Sequence, residues 1–243
     1  MYLSVIIPAY NEEKHIKKTI DSIYQYLSGK NIEHEIIVVT DGSKDGTNDI
    51  VKAAMSSVPT LQLLDYAHNK GKGYAVRQGM LKAKGDYRLF TDADNATTID
   101  QIERLLPYFK EGYEVVIGSI GLKGAEVAEG SEPAWRRLFG NMGNLYIQIL
   151  AVPGIQDTQR GFKMVTAKAA QDIFPKMIVD RWAFDVEMLA LAIKFGHKIK
   201  EVPVKWKNDP NTASHPKLGA YFKFLLETAK IRLNLLTGKY NAQ

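Results

Sequence analysis

Two carboxylates one residue apart, Asp92 and Asp94 in Phe90-Thr91-Asp92-Ala93-Asp94-Asn95, have the types and spacing to do chemistry. Alternate residues leaving a strand can aim both carboxylates at one hard cation. Mg2+ or Mn2+ takes one or two carboxylates and fills the rest of its shell with substrate phosphate oxygens. A solvated turn or a helix cap can carry the same tripeptide, so its neighbours decide. Asp41 follows a second apolar run, where a carboxylate accepts hydrogen bonds from a base or a ribose, or closes an Asx-turn with Gly42 and Ser43. Tyr10 can stack on a base or join the core. Asn69-Lys70-Gly71-Lys72-Gly73 opens a helical pattern, and glycines at a helix N-terminus favour phosphate, with lysines adding charge.

The elements that must position these groups alternate. Short aliphatic runs predict strands at Leu3–Ile7, Ile36–Val39, Leu61–Leu64, Tyr87–Phe90 and Val115–Ile117. Between them, Ile16, Ile20, Ile23 and Leu27 recur at helical spacing, as do Ile50, Ala54 and Val58, then Val76, Met80 and Ala83, then Ile99, Ile102, Leu106 and Phe109. Strands separated by helices of this length imply a parallel sheet with right-handed crossovers. Ligands bind beyond the carboxyl ends of such strands. Pro8 to Glu12, Thr40 to Ser43 and Asp92 to Asp94 all lie there and are expected to converge.

The second half is less periodic. Four glycines in residues 118–132 predict a mobile loop. Trp135, Leu138, Phe139, Met142, Tyr146 and Ile149 predict a helix, Gly161–Val165 a strand, Phe184–Ala192 a helix and Lys198–Trp206 one strand. Leu218–Leu236 predicts a long amphipathic helix with Phe222, Leu225, Ala229, Leu233 and Leu236 on its apolar face and Lys223, Glu227, Lys230 and Asn234 on its polar face.

Composition sets the limits. A chain of 243 residues, 45% hydrophobic and 24% charged, reads as one soluble globular domain over 1–243. With no cysteine, a metal must be held by oxygen or imidazole. The five histidines are scattered and read as ordinary surface or helix residues. No charged leader precedes Leu3, which predicts a cytoplasmic protein. No window approaches the ~20 apolar residues that cross a bilayer. The net charge of +5 serves solubility, or draws phosphate-bearing ligands or an anionic membrane surface. No Gly-x-Gly-x-x-Gly follows the first strand and no P-loop sequence exists, which disfavours a dinucleotide dehydrogenase and a P-loop enzyme. A nucleotidyltransferase would carry a glycine-rich basic loop where Pro8-Ala9-Tyr10-Asn11-Glu12 stands. A non-catalytic nucleotide-sugar binder remains open on the first-half motifs alone.

Taken together, Val5-Ile6-Ile7-Pro8-Ala9-Tyr10-Asn11-Glu12, Thr40-Asp41-Gly42-Ser43-Lys44-Asp45-Gly46-Thr47, Asn69 to Gly73 and Asp92-Ala93-Asp94 resemble the family 2 glycosyltransferases. Asp157-Thr158-Gln159-Arg160-Gly161-Phe162-Lys163, Arg181-Trp182-Ala183-Phe184-Asp185-Val186-Glu187 and Asp92-Ala93-Asp94-Asn95-Ala96-Thr97 resemble the dolichyl-phosphate β-glucosyltransferase branch within it. Three positions depart from the pattern. Thr40 replaces an aspartate, Arg160 stands at a cysteine position and Ile120 at an arginine position. The branch's eukaryotic members carry an N-terminal membrane anchor, which is not found before Leu3.

The resemblance implies a GT-A fold: a Rossmann-like, mostly parallel α/β sheet flanked by helices, with C-terminal amphipathic helices. Residues 1–118 would form the nucleotide-sugar half and 119–243 the acceptor half. It implies inverting transfer of a hexose, glucose by branch, from a UDP-sugar to polyprenyl or dolichyl phosphate, on the cytoplasmic face of a membrane and without nucleic acid. The donor would lie on Pro8, Ala9, Tyr10, Glu12, Asp41, Lys72, Asp92 and Ala93. A divalent metal, Mg2+ or Mn2+, would sit on Asp92 and Asp94. Asp157 would align the acceptor, and Arg136, Arg137 and Arg160 would hold its phosphate, with Lys123 or Arg160 making up for Ile120. The alternative is a family 2 enzyme with a soluble or polysaccharide acceptor, in which Asp157 or Asp185 would serve as general base.

Overall fold

The computed structural model describes residues 2–128, 143–207 and 218–241. Arg136, Arg137 and most of the predicted 135–149 helix lie outside them. Strands β1 (Tyr2–Ala9), β2 (Glu33–Asp41), β3 (Leu61–Tyr66) and β4 (Tyr87–Thr91) pair in parallel. They are joined by α1 (Ile16–Gly29), α2 (Thr47–Ala54) and α3 (Lys72–Lys82). The chain continues through α4 (Ile102–Lys110) and β5 (Val115–Ser119), then β6 (Glu126–Val127) and a helical segment α5 over 143–150. It ends with β7 (Phe162–Thr166), α6 (Ala167–Ile173), α7 (Phe184–Lys194), β8 (Ile199–Pro203), β9 (Lys205–Trp206) and α8 (Leu218–Leu236).

The main sheet runs β3-β2-β1-β4-β7-β5-β8, and β7 alone is antiparallel to its neighbours. Side chains alternate across it with the strand period of two. Val5 and Ile7 face Ile16, Ile20 and Ile23 of α1 and Val51 of α2, whereas Ile6 faces Val76 and Met80 of α3. Both faces are thus covered, which is why the strands read as unbroken aliphatic runs.

Several expectations need correction. The loop over 118–132 is partly strand: Gly118 and Ser119 end β5, and Glu126–Val127 pair with Lys205–Trp206 in a second, two-stranded sheet. The predicted strand 198–206 therefore breaks after Pro203, which lacks the amide needed to continue a ladder. Helix α6 was not anticipated; it is short and capped by Thr166, whose Oγ1 accepts the Ala169 amide at 3.1 Å. His197 is not a surface residue, since its ring is buried between Glu114 at 3.0 Å and Asp172 at 3.1 Å. His34 is buried as well.

The largest correction concerns α8. Its apolar face over Phe222, Leu233 and Leu236 is exposed, at 65%, 58% and 69%, and the buried stripe is Phe224, Thr228, Ile231 and Asn234, although Asn234 was expected on the polar face. Likewise Ile149 of α5 is exposed while Ile147 is buried. Among the described residues, no helix is long and apolar enough to cross a membrane.

Candidate active site

The carboxyl ends of β1, β2 and β4 lie side by side, because β1 pairs with both neighbours in parallel. Pro8 and Ala9 close β1, and the Tyr10 ring beyond them is 42% exposed. Glu12 is buried; its amide donates to Thr47 Oγ1 at 2.8 Å and its carboxylate meets His15 Nδ1 at 3.0 Å. Burial raises the Glu12 carboxyl above the ordinary carboxylate range, and the charges of Asp94 and Asp92 add to the shift.

Asp41 is 3% exposed and has its own task. Its two oxygens accept the amides of Lys70 at 2.9 Å and Gly71 at 2.6 Å. It therefore anchors the Asn69–Gly73 loop to the end of β2 instead of closing a turn with Gly42 and Ser43. Gly71 has φ +122 and lies against the Asp180 carbonyl and the Arg181 side chain, so only glycine fits there. This anchoring delivers Lys72, the first residue of α3, to the acidic pair.

Lys72 Nζ lies 2.5 Å from Asp92 Oδ1. Burial opposes the lysine's charge, but Asp92, Asp185 and Asp94 outweigh it and hold the ammonium above its ordinary range. The Asp92 amide donates to the Gly161 carbonyl at 3.2 Å, and its carboxylate lies where a Cβ on residue 161 would be. Asp94 Oδ1 accepts the Ala96 amide at 3.0 Å. Burial, then the charge of Asp92, raises the Asp94 carboxyl.

The donor set is all oxygen, and its two carboxylates repel each other. It therefore fits a hard divalent ion that brings further oxygens with its ligand. Among the described residues no group of three or more His, Asp or Glu could hold an ion unaided. Asp92 and Asp94 would supply the protein's share.

Asp157 enters from the other side of β4. Its Oδ2 accepts the Ile120 amide at 2.9 Å and lies 3.5 Å from Arg160 Nε. The Arg160 guanidinium is 4.5 Å from the centre of the Trp206 ring. Ile120 thus contributes its main chain to this corner. Beneath the loop, Lys163 is fully buried. Its Nζ donates to the Arg160 carbonyl and to Asp185 Oδ1, the latter at 2.6 Å. Burial raises the Asp185 carboxyl, opposed by Lys163 and Lys72. A carboxylate enclosed in this way is poorly placed to take a proton from an acceptor.

Sequence reasoning brought Tyr10, Glu12, Asp41, Lys72, Asp92 and Asp94 to one corner, and they are there. It missed the roles of Gly161 and Lys163. The strand expected from Gly161 begins one residue later, at Phe162, which leaves Gly161 in the turn against Asp92.

The comparisons with known proteins agree. The profile described as Glycosyl transferase family 2 matches residues 4–174. The dolichyl-phosphate beta-glucosyltransferase ALG5C of Trichomonas vaginalis is 36% identical, covering 100% of this chain and 74% of its own. The Homo sapiens dolichyl-phosphate beta-glucosyltransferase is 32% identical over 99% of this chain and 78% of its own. Mycobacterium tuberculosis glucosyl-3-phosphoglycerate synthase, solved with Mn2+, uridine diphosphate and phosphoglyceric acid, has the same fold. Its TM-score is 0.68 at 18% identity, covering 96% of this chain and 78% of that one. The expected GT-A α/β fold is therefore present, and the protein is a glycosyltransferase that belongs to family 2.

Proposed function

We propose that this enzyme transfers a hexose, glucose by likeness to its relatives, from a UDP-sugar to a polyprenyl or dolichyl phosphate at a membrane surface, with inversion. The whole chain forms one GT-A domain. Residues 1–118 take the nucleotide-sugar and 119–243 the acceptor.

The observation that carries the lipid reading is the apolar surface left open on α8 and α5. Tyr221, Phe222, Leu226, Leu233 and Leu236 are more than half exposed, and so are Leu145 and Ile149. The Tyr146 hydroxyl donates to the Leu225 carbonyl at 3.1 Å, so the two helices lie in contact. Lys223, Lys230 and Arg232 are exposed on the same helix. An amphipathic helix of this kind lies in a bilayer interface, with cations towards anionic headgroups. An acceptor free in solution would not call for such a face.

The chemistry follows from the residues. The Tyr10 ring and the β1 end, with Asp41, would take the base and ribose. Lys72, the first residue of α3, would face the diphosphate. A divalent ion on Asp92 and Asp94, when bound, neutralises charge on the leaving diphosphate. An acceptor phosphate oxygen attacks the anomeric carbon, and the bond from that carbon to the diphosphate oxygen breaks. The second pKa of a phosphate monoester is about 6, so near neutral pH the acceptor needs no base. Asp157 aligns it. Arg160, with Arg136 and Arg137 from outside the described residues, supplies its countercharge.

The test offers radiolabelled UDP-hexoses with polyprenyl phosphate and, separately, with a free sugar acceptor. Label in the lipid fraction, with UDP-glucose preferred, is the expected result. Label only in the free sugar product defeats the lipid reading in favour of a soluble acceptor.

A further inference from the structure

Glu201 has no part in the chemistry above, yet it holds the residue assigned to align the acceptor. It lies in β8, in register with Ile117 of β5. One carboxylate oxygen accepts the Gln156 amide at 2.8 Å and the other the Asp157 amide at 2.9 Å. Both oxygens are therefore committed to consecutive amides of one loop. The side chain of Asp157 is fixed separately, by the Ile120 amide at 2.9 Å. Ile120 is the first residue past β5. Two strands paired in parallel thus grip one residue, β8 through its main chain and the exit of β5 through its carboxylate.

We propose that Glu201 is a positioning residue that sets where the Asp157 carboxylate stands in the site. The proposal rests on the alignment role of Asp157. Hydrogen bonds from amides to a carboxylate are charge-assisted and short, so they fix the loop more tightly than neutral contacts would. The position matters because a displacement of about 1 Å at a reacting centre can cost roughly a hundredfold in rate. Glu201 is only partly buried, so water can take over both amides when it is removed. Loss of position is then expected without loss of fold.

A double-mutant cycle on the whole chain tests this, with UDP-glucose and polyprenyl phosphate in detergent micelles as probes. Glu201→Ala is expected to lower kcat about a hundredfold while leaving the KM for UDP-glucose within about twofold. Asp157→Asn should lose as much, and adding Glu201→Ala to it should cost nothing more, because the first acts only through the second. Glu201→Asp keeps the charge but falls one methylene short, and should retain part of the rate. Glu201→Gln keeps the volume and one acceptor, and carries the same comparison should the alanine variant fail to fold. Without any substrate, amide hydrogen exchange over residues 155–160 should rise in the Glu201 variants and nowhere else. An unchanged kcat in Glu201→Ala, losses that multiply in the double mutant, or no rise in exchange would each overturn the proposal. Full kcat in Asp157→Asn removes the alignment role beneath it, a failure told apart from that of the tether by the exchange measurement.

Discussion

Lys72 Nζ stands 2.5 Å from Asp92 Oδ1, and the lysine also feels the buried carboxylate of Asp185, which is itself paired with Lys163 at 2.6 Å. Charges of alternating sign therefore run from the site into the sheet, carried by the residue past β4 and by α3, α7 and β7. Lys72 is tied into the framework and needs no loop closure to reach the acidic pair.

Removal of Lys72 should separate donor binding from folding. Lys72→Met deletes the charge-assisted contact proposed to the diphosphate, which would be worth about 1.5–3 kcal/mol. The KM for the UDP-sugar should therefore rise at least about tenfold. The variant should keep its circular dichroism spectrum. An unchanged KM would remove Lys72 from the donor site.

Asp94→Ala should be more severe. It removes one of the two carboxylates proposed to hold a divalent ion, whose charge neutralisation would be worth several kcal/mol. Turnover should fall at least about a hundredfold, and chelator should abolish wild-type turnover. Full activity with chelator present would sink the metal role.

The buried pair under the site should matter to stability. Lys163 is 0% exposed and Asp185 3%, so Lys163→Met strands a carboxylate in the interior. Breaking such a pair costs about 3–5 kcal/mol, whereas replacing both partners with apolar residues is often near neutral. Denaturant titration should show Lys163→Met strongly destabilised and Lys163→Met with Asp185→Leu largely restored. Equal losses in the two would argue against the pairing.

Much of the donor corner was legible because its parts are local. A strand end followed by a polar residue is written in consecutive positions, as in Ile7-Pro8-Ala9-Tyr10 and Phe90-Thr91-Asp92. Glu201 and Lys163 were illegible for the opposite reason. Glu201 reaches the Asp157 amide across 44 residues of sequence, and nothing beside either residue records the contact. Which side of α8 meets the core is hidden in the sequence because apolar residues line two sides of it. The buried side carries polar residues that find partners: Thr228 Oγ1 donates to the Phe224 carbonyl at 2.9 Å, and Asn234 bonds Tyr240. The exposed side is the more apolar one, and periodicity alone does not say which side packs.

Acid should weaken the fold in part through Glu114. Its carboxyl is held below its ordinary value of 4.5, chiefly by the hydrogen bond from His197. A depressed carboxyl contributes stability above that value and loses it as pH falls through the lower, folded one. Thermal melts of wild type and Glu114→Gln should therefore differ near neutral pH and converge below pH 4.5. Parallel curves throughout would show that the bond to His197 does not set this acid limb.

The two sides of α8 should respond oppositely to substitution. Ile231 is fully buried, and Ile231→Ala should cost about 2–5 kcal/mol of stability, read by denaturant titration. Leu226 and Leu233 are 56% and 58% exposed, and Leu226→Glu with Leu233→Glu should change stability by no more than about 1 kcal/mol in total. The same pair of glutamates places two charges on the face proposed to enter the bilayer interface, beside lysines that favour anionic headgroups. Wild type should therefore float with liposomes containing anionic lipid, and the double variant should stay in the dense fraction. Activity on a short, detergent-soluble polyprenyl phosphate should survive in the variant, because the donor corner lies on strands these residues do not touch. Flotation of the variant equal to wild type would mean that this face is not the one that meets the membrane.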